Sequence, residues 1–353
     1  MLLETTLNEI RPVDAAARRA VGDRLDSLTK PPGSLGRLES LAVELAGMQA
    51  TERPRAARKL VVVMAADHGV CAEGISAYPQ AVTAQMVANF NAGGAAINVL
   101  ARHAGARVVV VDLGVAGAIP GRGHRDHRIA AGTRNLSHEP AMTPAQARQA
   151  VEIGIGLAQA EAAAGLDLLA GGDMGIGNTT ASSILTALLT QAASTAVVGP
   201  GTGIEGEALA RKRSVVAAAV AQQAGWRAEQ RDPGLHLLAA VGGFEIAGLA
   251  GLMLGAASRG VPFVLDGFIT TAAALVAVEI CPAVREFLIA SHQSAEPGHA
   301  LALAHLGLQP LLQWQLRLGE GSGAALVFPL LDAACKIVAE MATFAEAGVA
   351  GKT

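Results

Sequence analysis

Six short runs of apolar, mostly β-branched residues, each stopped by a turn rich in glycine or carrying an acid, constrain this chain more than any other feature. They are Lys59–Ala66 before Asp67-His68-Gly69, Arg107–Leu113 before Gly114, Leu166–Ala170 before GGDMGIGN, Thr195–Val198 before Gly199-Pro200-Gly201, Pro262–Leu265 before Asp266-Gly267, and Phe287–Ala290 before SHQSAEPGH. A strand with one wet face alternates apolar and polar residues, whereas a near-continuous apolar run belongs to a parallel sheet covered on both faces. Helical stretches lie between the runs, and one is clearly bounded: Thr143 as N-cap, Pro144 at the first helical position, an alanine-rich body to Ala164, and Gly165 as the stop. The predicted fold is α/β: a doubly wound, mostly parallel sheet in a three-layer α/β/α large domain. Ligands in such sheets bind beyond the strands' carboxyl ends, where these glycine and acid turns gather.

Two regions stand outside that rhythm. Residues 1–55 read as helices around Lys30-Pro31-Pro32-Gly33-Ser34, with Ser34 as N-cap for LGRLESLAVELAGMQ, and Leu311–Ala347 reads as helical with a break at Gly319–Gly323. The division that follows is a small helical domain from residues 1–55 with 330–353, and a large α/β domain, 56–329, carrying the active site. Residues 114–142 form a long irregular connection of the kind that is functional or mobile in compact domains.

Composition narrows the function. With 51% apolar residues and a net charge of −3 among 353 residues, the chain is globular and not disordered. Its 27 Lys+Arg against 30 Asp+Glu leave no basic excess for nucleic acid. Cys71, Cys281 and Cys335 are widely spaced and form no CxxC pair, which points to a reducing cytoplasm. The N-terminus carries acids and no apolar core, so it is not a signal peptide. The uncharged run Met174–Ile204 is broken by Gly199-Pro200-Gly201 and reads as a helix followed by a buried strand, not a membrane span.

Three motifs carry the chemistry. In Gly171-Gly172-Asp173-Met174-Gly175-Ile176-Gly177-Asn178-Thr179-Thr180, glycines admit an anion to the backbone and a helix amino end can hold it, with Asn178, Thr179 or Thr180 as cap. It lacks the lysine of a Walker A loop, and it reads either as a phosphate–ribose site built around Asp173 or as a tight βα turn. Gly199-Pro200-Gly201-Thr202-Gly203-Ile204-Glu205-Gly206 contains a formal GxGxxG, but proline opens it and no strand ends in an acid about 20 residues on. Arg211-Lys212-Arg213 follows, either a solvated face or one cation turned toward phosphate. Glu320, in Gly319-Glu320-Gly321-Ser322-Gly323, reads either as a general base whose pKa rises on desolvation or as a capping acid. No histidine pair has zinc spacing with a third ligand, and no Gly-x-Ser-x-Gly elbow marks a serine hydrolase. From the residues alone, a nucleotide-binding oxidoreductase using Gly201–Gly206 and a non-catalytic nucleotide binder stand as alternatives to a transferase.

Nine stretches together resemble one family. KPPGSLGRLE (30–39), AADHGV (65–70), GISAYPQAVTAQMVANFNAGGAAINVLA (74–101), GGDMGIGNTT (171–180), GPGTG (199–203), GGFEIAGLAG (242–251), LDGFITTAAAL (265–275), SHQSAEPGH (291–299) and LRLGEGSGAALVFPLLDAA (316–334) resemble the nicotinate-nucleotide–dimethylbenzimidazole phosphoribosyltransferases of cobalamin nucleotide-loop assembly. The resemblance implies transfer of the phosphoribosyl group of nicotinate mononucleotide to 5,6-dimethylbenzimidazole, with inversion at the anomeric carbon, giving α-ribazole 5′-phosphate and nicotinate. It implies Glu320 as the catalytic base and Asp173, Met174, Gly175, Ile176, Gly177 and Asn178 as the ribose and phosphate cradle. Gly201, Gly203 and Ser294 are assigned to substrate binding with them, Lys212 to the phosphate side, and Tyr78 and Gln85 to the base pocket. Asp173 stands where many members of the family carry Glu. The resemblance further implies no metal or cofactor, no nucleic-acid or membrane partner, and a cytoplasmic homodimer in which helices of one subunit close the other's site.

Overall fold

The computed structural model describes residues 1–226 and 232–350; residues 351–353 of the predicted terminal domain lie outside the described residues. Six strands, β1 (Lys59–Ala66), β2 (Ala106–Gly114), β3 (Arg125–Asp126), β4 (Leu168–Met174), β5 (Phe263–Leu265) and β6 (Leu288–Ala290), form one sheet in the order β3-β2-β1-β4-β5-β6. Every pairing is parallel, and β1 lies at the centre with all eight residues buried. Val62 pairs with Val109 on β2 and with Gly171 on β4, so the most continuous apolar run is the one covered on every side.

One expected strand is a helix. Thr195–Val198 is β-branched, yet Ser194–Val197 forms a single helical turn. Val197 and Val198 are buried against helices Asn178–Thr190, Gly206–Gln222 and Pro297–Leu306, and packing on helices overrides the local propensity. The sixth strand is instead β3, two residues inside the long connection 114–142. The helix bounded by Thr143 and Gly165 runs over Pro144–Ala163 as expected, with the Thr143 hydroxyl accepting from Gln146 N at 3.2 Å. Ser34 is not an N-cap: the helix starts at Arg37, and Glu39, paired with buried Lys30 at 2.9 Å, reaches back to accept from Leu35 N.

The terminal segments meet. Helices Ala15–Ser27 and Arg37–Gln49 pack together, and helix Ser322–Glu340 packs on Arg37–Gln49. Thr29 N donates to Ala342 O at 3.0 Å and Arg24 Nε to Val338 O at 2.8 Å. Residues 311–321, expected to be helical outside the glycine break, run as an irregular rim with a left-handed residue at Gln315; helix starts only at Ser322. Among the described residues this helix is the one long and apolar enough to cross a membrane, and 56% of its apolar window is buried inside the fold.

Helix Phe244–Ser258 lies on one face of the sheet, and helix Pro144–Ala163 crosses over it with almost no side chain between them. A Cβ on Gly154 would overlap the carbonyl of Gly248, and one on Gly251 would overlap that of Val151. Gly156, on the same helix as Gly154, has open space around it. Gly154→Ala is therefore expected to lower stability by about 1–3 kcal/mol through overpacking. Gly156→Ala should be neutral or stabilising by up to about 1 kcal/mol. Urea unfolding midpoints of the two variants check the contrast.

Candidate active site

Strand order reverses between β1 and β4, and a cavity of about 750 Å³ opens beyond their carboxyl ends. The first half of the glycine motif is strand and not turn: Gly171, Gly172, Asp173 and Met174 belong to β4. Alternation sends Gly171 toward Leu249 on one face and Gly172 toward the opposite face, where the backbone of Glu320 presses on it. Only a residue without Cβ lets the Glu320 segment come this close. The turn proper is Gly175-Ile176-Gly177, and Gly177, at φ 98°, is the N-cap of helix Asn178–Thr190. No side chain caps that helix. Asn178 turns back to donate to Asp173 Oδ2 at 2.9 Å, so the helix's amino end opens on the cavity through Asn178 and Thr179.

Two acidic residues, Asp173 and Glu320, line the cavity. Asp173 is 8% exposed, and burial, reinforced by Asp266, Glu245 and Glu320, holds its carboxyl well above the usual range. Glu320 is the central member of three successive left-handed residues, Gly319 (φ 83°), Glu320 (φ 66°) and Gly321 (φ 88°). A non-glycine residue held there costs about 1–2 kcal/mol, so its surroundings must impose the conformation. Burial pushes the Glu320 carboxyl up to about 7, against a hydrogen bond from the Ile97 backbone, and Asp266 adds to the rise. Its Oε2 is buried with no partner. An ionisable group with near-neutral pKa and an unsatisfied oxygen in a cavity can take up a proton.

The second wall is cationic one layer back. Lys212 is fully buried, and its Nζ donates to Thr179 Oγ1 at 2.9 Å and to Gly199 O at 3.0 Å. Burial lowers its pKa to about 8, with Glu296 opposing. Thr179 and Gly201 line the cavity in front of it, and Gly201 N donates to Glu296 Oε1 at 2.9 Å. Arg211 and Arg213 are exposed, so of the three cations Lys212 alone is turned inward. The remaining wall is apolar: Val82, Met86, Ile176, Phe268, Leu316 and Leu318. The cavity thus joins an anion-compatible corner, a pair of acids and a slot for a flat uncharged ring.

A phosphoribosyltransferase family model matches residues 10–349. The nicotinate-nucleotide–dimethylbenzimidazole phosphoribosyltransferase of Roseiflexus sp. strain RS-1 is 55% identical over 352 residues, covering 99% of each chain. That of Chloroflexus aurantiacus is 53% identical over 355 residues, again covering 99% of each. The crystal structure of CobT from Thermus thermophilus superposes with a TM-score of 0.90 at 49% identity, covering 96% of this chain and 100% of that one.

This chain belongs to the nicotinate-nucleotide–dimethylbenzimidazole phosphoribosyltransferase family.

Of the residues the family's motifs assign, Tyr78, Asp173, Met174, Gly175, Ile176, Asn178, Gly201, Ser294 and Glu320 line the one cavity. Gly177 lies beneath the turn against Cys71, Gly203 (φ 101°) lies in the open turn after Gly201, and Lys212 lies behind the wall. Gln85 is exposed and outside the cavity lining; Val82 and Met86, one helical turn apart, present the inner face of helix Val82–Ala92 while Gln85 is rotated away. The formal GxGxxG follows a helical turn and not a strand, which removes the context a dinucleotide fingerprint needs. The sequence assigned no role at the site to His292, Glu296, Phe268 or Asp266, although it marked the turns that carry them. Their signals were the Asp-Gly turn after β5 and the SHQSAEPGH run after β6, both at strand ends. Among the described residues no group of three His, Cys, Asp or Glu side chains is arranged to hold a metal ion.

Burial of Asp173 sets a trade of stability against charge. Its folded pKa lies above the unfolded value of about 3.9, so between the two the folded state binds more protons and stability falls as pH rises. Asp173→Asn is expected to raise Tm at pH 7 relative to the parent. The difference should shrink toward zero below about pH 4, where the unfolded carboxyl is protonated too. Calorimetric scans across that range check it.

Proposed function

We propose that this enzyme transfers the phosphoribosyl group of nicotinate mononucleotide to 5,6-dimethylbenzimidazole, forming α-ribazole 5′-phosphate and nicotinate, with Glu320 as general base. The observation that carries the reading is the Glu320 carboxylate, with one unpartnered oxygen and a pKa near 7, lining the same cavity as Asp173 and the apolar slot. The phosphate lies at the Gly175–Gly177 turn and Gly201, held by a helix amino end and by the field of Lys212. Asp173 lies at the ribose. The acceptor ring fills the slot between Val82, Met86, Ile176, Phe268, Leu316 and Leu318.

As one acceptor nitrogen bonds to C1′ from the face opposite the pyridinium, the C1′–N bond breaks and its electron pair returns to the pyridine ring. That ring leaves neutral at nitrogen and needs no acid. The proton on the acceptor's other nitrogen passes to Glu320. Positive charge developing at C1′ is met by the Asp173 carboxyl, and that charge in turn favours its ionised form against the burial that opposes it. The same reading has the enzyme working as a cytoplasmic homodimer, without metal or cofactor, on small molecules and not on nucleic acid or membrane.

Glu320→Gln keeps the size of the side chain and removes the base. It should lower kcat by about 10²–10⁴-fold with product identified by mass and anomeric configuration; near-parental turnover would remove Glu320 from the mechanism. In the parent, kcat/KM should rise with pH through an apparent pKa near 7 as Glu320 ionises. A flat profile between about pH 5.5 and 8.5 would assign the proton to another group.

A further inference from the structure

Asp266 follows β5, is 1% exposed, and lies outside the cavity lining. Its carboxylate gathers three backbone N–H groups from the segment that carries Glu320. Gly321 N donates to Oδ2 at 3.1 Å, and Gly323 N and Ala324 N donate to Oδ1 at 2.7 and 3.2 Å. Helix Ser322–Glu340 has Gly321 as its N-cap and no local side-chain cap, so its amino end is capped from β5. The electrostatic surroundings are crowded. His292, after β6, faces Asp266; Asp173, on β4, is faced by Asp266, Glu245 and Glu320; and Glu320 is faced by Asp266. His292 also lies hard against Gly323, and Gln293 N, beside it, donates to Leu312 O at 2.9 Å on the cavity rim.

We propose that Asp266 is the positioning residue for Glu320: by holding the amides of Gly321, Gly323 and Ala324 it imposes the left-handed run Gly319–Gly321 and aims the Glu320 side chain at the acceptor. The proposal rests on Glu320 being the general base. A tripeptide with glycine on either side of Glu320 has many conformations open to it, and the residues on its carboxyl side are tied to β5 by one carboxylate. Asn at 266 keeps an oxygen for Gly323 and Ala324 but turns an amide donor toward the Gly321 N–H, breaking the bond nearest Glu320. It also removes the negative charge that Glu320 faces, so the Glu320 ionisation moves to lower pH.

The test is a double-mutant cycle on the full chain with nicotinate mononucleotide and 5,6-dimethylbenzimidazole, comparing the parent, Asp266→Asn, Glu320→Gln and the double variant. Asp266→Asn should lower kcat about 10²-fold, leave KM for nicotinate mononucleotide within about twofold, and shift the acidic limb of the pH profile below the parent's. In the Glu320→Gln background it should cost nothing further, because the side chain it positions is already inert. An equal loss in both backgrounds, or an unmoved acidic limb, overturns the proposal while leaving the general-base reading intact. Parental turnover by Glu320→Gln overturns that reading and this one with it. If thermal unfolding shows Asp266→Asn to be unfolded, Asp266→Ser, which returns one acceptor to the helix end, carries the same comparison and the same two outcomes.

Discussion

The structure depends on keeping carboxylates out of water at one end of a parallel sheet. Asp173, Asp266 and Glu320 are buried together, and each is pushed toward its neutral form by the loss of solvent. A site of this kind collapses unless each charge has compensation nearby. The compensation here is mostly backbone. Asp266 takes three amides at a helix start, Glu320 takes one from Ile97, and Asp173 takes the Asn178 amide group. The doubly wound topology supplies these donors, because helices that follow strands begin at the carboxyl edge with their amides exposed. One layer down, burial opposes a charge on His68, yet Glu245 at 2.5 Å overrides that and raises its pKa; the pair sits under the Gly175 turn.

Close approach is the second requirement, and it explains where glycine is used. Gly172 lets the Glu320 segment lie on β4; on the opposite face Gly154 and Gly251 let two helices cross backbone to backbone, and Gly248 lets one of them settle on Met64 and Leu113 of the sheet. Both faces of β4 are thereby covered at adjacent residues, Gly171 by helix Phe244–Ser258 and Gly172 by the loop bearing Glu320. A rigid floor of this kind suits a reaction that must hold the attacking nitrogen, the anomeric carbon and the departing ring nitrogen in line.

Much of this was legible in the chain. Five of six expected strands are present, because β-branched runs buried on both faces have few other uses. Thr195–Val198 misled because its residues favour strands locally while its neighbours are helices, and β3 was invisible because two residues carry no periodicity. The site motifs placed Asp173, Gly201 and Glu320 around one cavity, since strand-end turns converge in this topology. Gln85 and Met86 could not be told apart without knowing how their helix is rotated. Lys212 was singled out from Arg211 and Arg213 by resemblance, and burial explains why that position differs from its neighbours. Asp266 was legible as an acid at a strand end, but its capping role was not, because a cap delivered from 55 residues away leaves no local pattern.

The order of the chain adds one more consequence. All six strands, the phosphate turn and Lys212 precede residue 291, whereas Glu320 and the helix that anchors it come later. During synthesis the sheet and most of the cavity wall are made before Glu320. On the proposed mechanism, the residue that accepts the proton therefore belongs to the last part of the chain to be made, after every strand of the sheet that its backbone lies against.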